Sequence, residues 1–398
     1  MKLEMNYILE RFPVVANKIF CKLDDKSLIR AKEICRPWRN YITSQKFSWV
    51  RKIQADIIYK QEFTRNWQRV LVRTSFETVK ELSIAVYQFY QFERSRYYKV
   101  NWSPLHITVE QDSLSLSQHV MSKVDDINPK NSSGITPLHF AASNGNLELF
   151  QLIFARTQEK NPRDDVFGMT PYYSAALKGQ FEVCKFIVEN VDDKNPAIND
   201  GKTPLYAAAY HGYLEICKLI IDLVDNKNPA TNDGSTPLHA AACNGHLEIC
   251  ELIIKNVDDK NPANNKGGTP IFEAAFNGHL DICKLIIELV DDKNPARNNG
   301  ATPLYIAAKY GHFDICKLII EHLDDKNPLT IENLDDKNPL TNEKFSPLCI
   351  AAKNGHLEIY KLLMQWRKRR VARFWRNQRR RRRAAAARHI TTCPPSFR

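Results

Sequence analysis

The chain has 398 residues, of which 43% are hydrophobic, and a formal net charge of +12. This composition is normal for a folded protein, and the length allows several domains or one long repeat array. The start, Met1-Lys2-Leu3-Glu4, lacks the basic-then-apolar pattern of a signal peptide, and no apolar run approaches the roughly 18 residues that span a bilayer. We therefore expect a soluble protein of the cytoplasm, the nucleus or both, with no membrane association.

The charge is unevenly distributed along the chain. Residues 1–101 carry a net charge of +10, residues 102–365 carry −11, and residues 366–398 carry 13 Lys and Arg with no Asp or Glu. Only the last segment is dense enough to create a strong local field. The acidic middle favours a partner with basic patches.

The N-terminal segment predicts a compact group of short amphipathic helices. Its apolar residues recur at helical spacing, at Ile19, Leu23, Leu28, Ala31, Ile34, Cys35 and Trp38. Asp24 and Asp25 supply an N-cap region for the next helix. So short a segment buries too little apolar surface to be comfortably stable alone, so it gains from docking onto a partner or onto the next part of the chain.

Residues 8–52 resemble an F-box domain. The matching positions are Phe12-Pro13, Ile19-Phe20, Leu23-Asp24, Leu28, Cys35-Arg36-Pro37-Trp38 and Ser48-Trp49. Phe12 and Ser48 depart from the usual Leu. The resemblance implies that a Skp-type adaptor of a cullin–RING ubiquitin ligase binds this segment, through Pro13, Ile19, Leu23, Leu28, Ile34, Cys35 and Trp38. The alternative is a helical cap for the adjoining domain, with Trp38 in its core.

The next segment, residues 53–101, predicts a helical linker, for example over Phe76–Phe92. From residue 102 onward the sequence is periodic. A Ser-Pro or Thr-Pro step recurs, with starts near 103, 136, 170, 203, 236, 269, 302 and 346. Most intervals are 33 residues, one is 34 and the last is 44, which indicates a repeat array.

The sequence pattern of each repeat predicts two helices. In the copy from Gly234 to Lys266, Thr236 and Pro237 start a helix, Gly245 ends it, and the second helix carries an apolar stripe at a period of 3.6 residues. The segments Thr136–Ala141 and Thr236–Ala241 resemble the ankyrin repeat, and the resemblance covers residues 102–364. It implies an all-α solenoid of about eight helix-turn-helix repeats with β-turn fingers.

Cysteine and histidine recur with the same period. Five cysteines lie 33 residues apart, at Cys184, Cys217, Cys250, Cys283 and Cys316. We expect them to be small buried apolar residues, and the periodic histidines to be hydrogen-bonding parts of the scaffold. Four converging ligands are lacking, so we expect no metal and no cofactor.

The array departs from the family pattern in two places. The usual Gly after the second helix is replaced by Asp-Asp-Lys-Asn-Pro, as at Val257–Pro262, which leaves the finger geometry open. The 44-residue interval arises because Leu323–Asn333 is nearly copied by Leu334–Lys344, and we expect this duplication, residues 323–344, to form a long loop.

Some positions change in every copy of the repeat, and in ankyrin proteins these positions line the concave face and the fingertips. The candidate partner-binding residues are Tyr210, His211, Phe276, Asn277, Lys309 and Tyr310. The aromatic residues among them are good anchors for a partner. The alternative, that they pack on neighbouring repeats, stays open.

The tail, residues 365–398, is rich in arginine and can continue as a helix. Its basic residues are Arg367, Lys368, Arg369, Arg370, Arg379, Arg380, Arg381, Arg382 and Arg383, together with others in the same segment. Three interpretations stay open: a nuclear localisation signal, a site for RNA or another polyanion, or a low-complexity tail.

No motif of catalysis occurs: the sequence has no GxxxxGK[ST], GxSxG, HExxH or GxGxxG. We therefore expect the chain to be a non-enzymatic, monomeric interaction module. The leading hypothesis is the substrate-recognition subunit of a Skp–cullin–F-box ubiquitin ligase that binds an unknown substrate on its ankyrin surface. The alternative is an ankyrin scaffold, nuclear or RNA-associated, with no ubiquitin role.

Overall fold

The computed structural model describes residues 102–323 and 346–391. Within these ranges the chain forms sixteen α-helices and no strand, in two compact units that divide between Asn199 and Asp200. The helices of the first unit are α1 (Pro104–Glu110), α2 (Leu114–Met121), α3 (Pro137–Asn144), α4 (Leu147–Arg156), α5 (Pro171–Lys178) and α6 (Phe181–Asn190). Those of the second unit are α7 (Pro204–His211), α8 (Leu214–Ile221), α9 (Pro237–Asn244), α10 (Leu247–Lys255), α11 (Pro270–Asn277), α12 (Leu280–Leu289), α13 (Pro303–Tyr310), α14 (Phe313–His322), α15 (Pro347–Lys353) and α16 (Leu357–Thr391).

The odd-numbered helices are the first helices of each pair, and each begins at a Ser-Pro or Thr-Pro step. At α7, the backbone of Thr203 is extended, and its hydroxyl accepts a hydrogen bond from the N–H of Tyr206 at 3.2 Å. Pro204 takes the first helical position, where an N–H would have no helical partner. The predicted all-α array of paired helices is confirmed for the described residues.

The even-numbered helices bury an apolar stripe. In α10 the buried residues are Ile249, Cys250, Ile253 and Ile254, which recur at helical spacing. Burial raises the pKa of the Cys250 thiol to about 12. All five periodic cysteines are fully buried, so their predicted role as small apolar residues is confirmed.

A Lys-Asn-Pro turn replaces the glycine that usually ends the second helix. Lys260 donates hydrogen bonds from Nζ to the carbonyl of Ile254 at 2.5 Å and to that of Val257. The next residue, Asn261, accepts the N–H of Ile271 in the following first helix at 3.0 Å. The turn thus caps the C-terminus of one helix and the N-terminus of the next.

We call this motif the KNP turn. Its lysine bonds the carbonyl six positions earlier in five consecutive repeats, at Lys160, Lys194, Lys227, Lys260 and Lys293. The lysine cation also lies at the negative end of the helix dipole, which favours it electrostatically.

Histidines join consecutive repeats in two ways. His239 Nδ1 accepts the N–H of Thr236 at 3.1 Å, so the Nε2–H donates to the carbonyl of Gly268 in the next repeat at 3.0 Å. At the helix ends, His279 Nε2 bonds the carbonyl of Cys243 at 3.1 Å. That ring also covers Gly245 (φ +80°), where a Cβ would lie 2.6 Å from His279 Cε1. The predicted scaffold role of the periodic histidines is confirmed.

Neighbouring fingers are linked by single backbone hydrogen bonds. In the second unit, Asn265 donates its N–H to the carbonyl of Asp233, and Asn298 donates to that of Lys266, both at 3.0 Å. The same bond occurs within the first unit, from Asp165 to Ser133 at 2.9 Å. The fingers therefore hold together without forming a strand in the described residues.

The last described helix, α16, is 35 residues long, whereas the other second helices have 8 to 10. Its first turns pack as in other repeats, with Ile359 and Leu363 buried. Where Asp258–Pro262 end the earlier repeat, the last repeat has Lys368–Ala372, with no Asp, Asn or Pro. Because the stop signal is missing and Arg and Ala favour helix, the helix continues to Thr391.

Three predicted segments lie outside the described residues. They are the F-box-like domain at 8–52, the helical linker at 53–101, and the duplicated loop from 324 to 344. The bounds assigned to these segments stay predictions.

Candidate protein-interaction surface

Four residues lie at the C-terminal ends of first helices in the second unit, three at equivalent positions and the fourth one position later and in contact with the third. They are Tyr210 in α7, Cys243 in α9, Phe276 in α11 and Tyr310 in α13, and we call them the aromatic row. The three rings are 45%, 38% and 47% exposed, respectively. Exposed aromatic side chains that recur on one face, rather than singly, mark interaction surfaces.

Two rings of the row are in contact with each other. Phe276 and Tyr310 come from neighbouring repeats, and their ring centroids lie 4.8 Å apart at an interplanar angle of 60°. This edge-to-face arrangement is favourable for aromatic pairs. Each of the two residues therefore packs on its neighbouring repeat and stays exposed, Phe276 by 38% and Tyr310 by 47%. Packing on a neighbouring repeat therefore does not prevent either residue from contacting a partner.

The helix ends that carry the row are held in place by histidines. The carbonyl of Tyr210 accepts a hydrogen bond from His246 Nε2, and the carbonyl of Phe276 accepts one from His312 Nε2, both at 3.2 Å. These bonds fix the backbone from which the rings of the row project.

The other predicted residues surround the row. His211 is exposed, with its ring centroid 5.0 Å from that of Tyr210. Asn277 donates from Nδ2 to the carbonyl of Glu273 at 3.1 Å. Lys309 Nζ lies 5.9 Å from the ring centroid of Tyr310. The structure places all of them beside the row, and their part in binding stays a prediction.

The sequence interpretation missed Glu273, and it counted Cys243 among the variable positions without naming it as a partner-binding residue. Burial raises the pKa of the Glu273 carboxyl, and Arg297 opposes that shift. The pKa of the neighbouring Cys243 thiol is also raised, mainly by burial and to a smaller extent by the Glu273 carboxylate. Glu273 was detectable, because the same position holds Ala240 in the preceding repeat and Ile306 in the next.

A second exposed apolar feature, also missed, lies in the first unit. Val166 and Phe167 at one fingertip are each 55% exposed. The corresponding fingertip residues in the other repeats are polar, for example Asn265 and Lys266. Comparing the copies with one another would have found this difference.

The acidic charge of the array lies mainly in the turns after the second helices and on their outer faces. Asp258 and Asp259 in one such turn are exposed, whereas the charged groups beside the aromatic row include both signs, with Glu273 near Cys243 and Lys309 near the Tyr310 ring. The net charge of the array therefore does not describe the surface around the row.

The predicted basic residues of the tail fall on α16. Lys368, Arg369, Arg379 and Arg380 are exposed, and Arg367 is half-buried. Arg370 is buried, since it is 5% exposed and its guanidinium carbon lies 5.0 Å from the Trp366 ring centroid. The side chains of residues 381–383 lie outside the described part of the chain.

Two family models match the sequence. The model of ankyrin repeats in blocks of three copies matches overlapping windows that together run from residue 73 to residue 373. The model of the F-box domain matches residues 9–49. A search of curated proteins found no match to this chain. Since the ankyrin windows cover more than half of the sequence, the chain belongs to the ankyrin-repeat family, with an F-box domain at its N-terminus.

Both kinds of domain are protein-interaction modules. Across residues 102–323 and 346–391, no group of three or more His, Cys, Asp or Glu side chains is arranged to hold a metal ion. None of the helices in those ranges is both long enough and apolar enough to cross a membrane.

Proposed function

We propose that this chain is the substrate-recognition subunit of a Skp–cullin–F-box ubiquitin ligase. The observation that carries the proposal is the F-box match at residues 9–49 in a chain whose remainder is an ankyrin array. In this arrangement the F-box recruits the adaptor and the array holds the substrate. Substrate lysines then react faster because their effective concentration near the ubiquitin-conjugating enzyme is raised.

The two binding functions fall on different residues. The adaptor contact uses Pro13, Ile19, Leu23, Leu28, Ile34, Cys35 and Trp38. The substrate contact uses the aromatic row with His211, Asn277 and Lys309. The chain performs no chemistry itself, and it works as a monomer in the cytoplasm, the nucleus or both.

The test is the binding of a purified Skp-type adaptor to the immobilised full chain, measured by biolayer interferometry. The variant carries Leu23→Asp and Trp38→Ala, which place a charge on the predicted apolar contact and remove its largest side chain. The matched control is Leu223→Asp, because Leu223 is 49% exposed in the array. We expect the wild type and the control to bind, and the double variant not to bind.

Circular dichroism and thermal melting separate binding from folding. The double variant must keep the helical signal and the melting temperature of the array. A folded wild-type chain that does not bind the adaptor, or a double variant that binds as well as the wild type, overturns the proposal. The chain would then be an ankyrin scaffold whose N-terminal segment only caps the array.

A further inference from the structure

We infer that Glu273 and Phe276 form a subsite that binds a basic side chain, arginine or lysine, of the substrate. The inference deepens the proposed function and rests on it, because the aromatic row is there the substrate contact. Three observations support it: a half-buried carboxylate with no ion pair to another described residue, a space left beside that carboxylate, and an exposed aromatic ring one helical turn further along α11.

The Glu273 carboxylate sets this repeat apart from its neighbours. The equivalent positions in α9 and α13, which both pack against α11, hold the buried residues Ala240 and Ile306. Exposed carboxylates elsewhere in the second unit form ion pairs, as Glu215 does with Lys218 at 2.8 Å. Among the described residues the Glu273 carboxylate has no such pair, so a cation from a partner supplies a contact that the chain does not.

The electrostatics of this carboxyl group favour a cation from outside. Burial is the larger influence on the pKa of Glu273 and raises it, while Arg297 opposes the shift. The guanidinium carbon of Arg297 lies 4.6 Å from the ring centroid of Phe272, so this cation is held over a scaffold ring. A partly desolvated carboxylate attracts a cation more strongly than a fully exposed one does, because water screens the pair less.

A glycine leaves space beside the carboxylate. A Cβ at Gly268, just before α11, would lie 3.3 Å from Glu273 Oε1 and 3.0 Å from Asn264 Nδ2. The backbone does not require glycine there, because Gly268 has no positive φ, unlike Gly267 (φ +73°) one residue earlier. The equivalent position of an earlier repeat carries a long side chain, Lys202. The missing side chain at Gly268 therefore leaves room for a group of the substrate next to Glu273.

The exposed ring of Phe276 completes the subsite. Phe276 follows Glu273 by three residues, so the two side chains lie on the same face of α11. The face of an aromatic ring attracts cations through its π electrons. The chain itself contains an example in the next repeat, where Lys309 Nζ lies 5.9 Å from the ring centroid of Tyr310. A basic side chain can therefore contact a carboxylate and a ring at the same time.

The subsite discriminates against other kinds of side chain. An apolar side chain could cover Phe276, but it would remove water from the Glu273 carboxylate without replacing its hydrogen bonds, which is unfavourable. An acidic side chain would be repelled by the same carboxylate. Arginine suits both groups, since its planar guanidinium donates to a carboxylate and stacks on an aromatic ring, whereas lysine offers a compact point charge.

The first test is the selection of peptides from a random library by the immobilised full chain. The variant is Glu273→Gln, which keeps the size of the side chain and removes its charge. The matched control is Glu251→Gln, because Glu251 is exposed on α10, a second helix. We expect the wild type and the control to select peptides enriched in arginine or lysine at one position, and Glu273→Gln to lose that enrichment.

The affinity of the most enriched peptide, labelled with a fluorophore, is then measured by anisotropy. We expect Glu273→Gln to lose about tenfold in affinity, as for the loss of a hydrogen bond to a charged group, and Glu251→Gln to lose less than about twofold. Phe276→Ser introduces the residue found at the equivalent Ser143 and should lose about two- to fivefold. Exchanging arginine and lysine in the peptide shows which cation the subsite prefers, and thermal unfolding shows that each variant is folded.

Three results overturn the inference: a wild-type chain that selects no peptide, selected peptides without basic enrichment, or equal losses in Glu273→Gln and Glu251→Gln. Adaptor binding is measured in parallel on the same chains. If the adaptor binds and the peptides show no basic preference, only this inference fails. If the peptides bind through Glu273 and the adaptor does not bind, only the proposed ligase function fails.

Discussion

His106 Nε2 lies 3.0 Å from the carbonyl oxygen of Ile135, and this bond joins the first two described repeats. On the other side of the ring, Nδ1 accepts the N–H of Ser103 at 3.2 Å, so the imidazole is neutral with its proton on Nε2. Burial lowers the pKa of His106 from 6.5 to about 4. Burial also lowers the pKa values of His139 and His239, which make the same pair of bonds.

These histidines make stability depend on pH. The unfolded chain takes up a proton on each ring below a pKa of 6.5, whereas folded His106 takes one up only near 4. The contribution of neutral His106 to the free energy of unfolding is therefore complete above pH 6.5. It is lost as the pH falls towards 4, which lowers the free energy of unfolding by up to about 3 kcal/mol.

Urea unfolding at several pH values tests this dependence. We expect His106→Gln to be less stable at pH 7 and to show a shallower loss between pH 6.5 and 4. The exposed His322 is the control, and His322→Gln should keep the wild-type slope. An unchanged slope in His106→Gln would show that its ring is not the titrating group.

Two equivalent threonines should respond differently to the loss of their hydroxyl groups. Thr236 Oγ1 lies 2.9 Å from His239 Nδ1. The next repeat has Phe272 where His239 stands, and the buried Oγ1 of Thr269 has no hydrogen-bond partner within the described part of the chain. We expect Thr236→Val to cost about 1–3 kcal/mol, and Thr269→Val to be neutral or stabilising, by thermal unfolding. Equal costs would contradict this difference between the two sites.

The KNP turn predicts that removing the amino group of Lys260 destabilises the array. Lys260→Met keeps the side-chain length but removes the donor to Ile254 and Val257, and should cost about 1–2 kcal/mol in denaturant unfolding. Lys255 is exposed in the last turn of α10, and Lys255→Met should change stability by less than about 0.5 kcal/mol. A Lys260 variant as stable as the control would mean that the lysine cap does not stabilise the turn.

Alkylation should be faster at Cys243, on the surface, than at Cys250, in the core. Cys243 is only half-buried, whereas Cys250 is fully buried with a pKa of about 12. Brief treatment of the native protein with iodoacetamide at mildly alkaline pH, followed by peptide mass spectrometry, should modify Cys243 and leave Cys250 untouched until urea is added. Fast modification of native Cys250 would mean that the array opens locally. A partner seated on the aromatic row should slow the modification of Cys243.

The sequence predicts the repeat, the helix pairs and the buried cysteines, because periodicity and Thr-Pro steps are local signals. It does not predict the KNP lysine cap, since the bond of Lys260 to Ile254 depends on how the chain folds back after the helix. The exposure of Phe276 and its contact with Tyr310 likewise arise from the stacking of two repeats. The burial of Arg370, whose guanidinium carbon lies 5.0 Å from the ring centroid of Trp366 one turn earlier in α16, is also not predicted by composition.

The KNP turns also decide which amino groups of this chain can be acylated. An amine attacks an activated carboxyl group only when its nitrogen is deprotonated and its lone pair is free. The five KNP lysines donate hydrogen bonds from Nζ to helix carbonyls, and freeing one of them uncaps a helix. A KNP lysine must therefore give up its bond to the helix carbonyl before it reacts, so we expect it to be modified more slowly than an exposed lysine. Modification of the native array will fall first on exposed lysines such as Lys185 and Lys317.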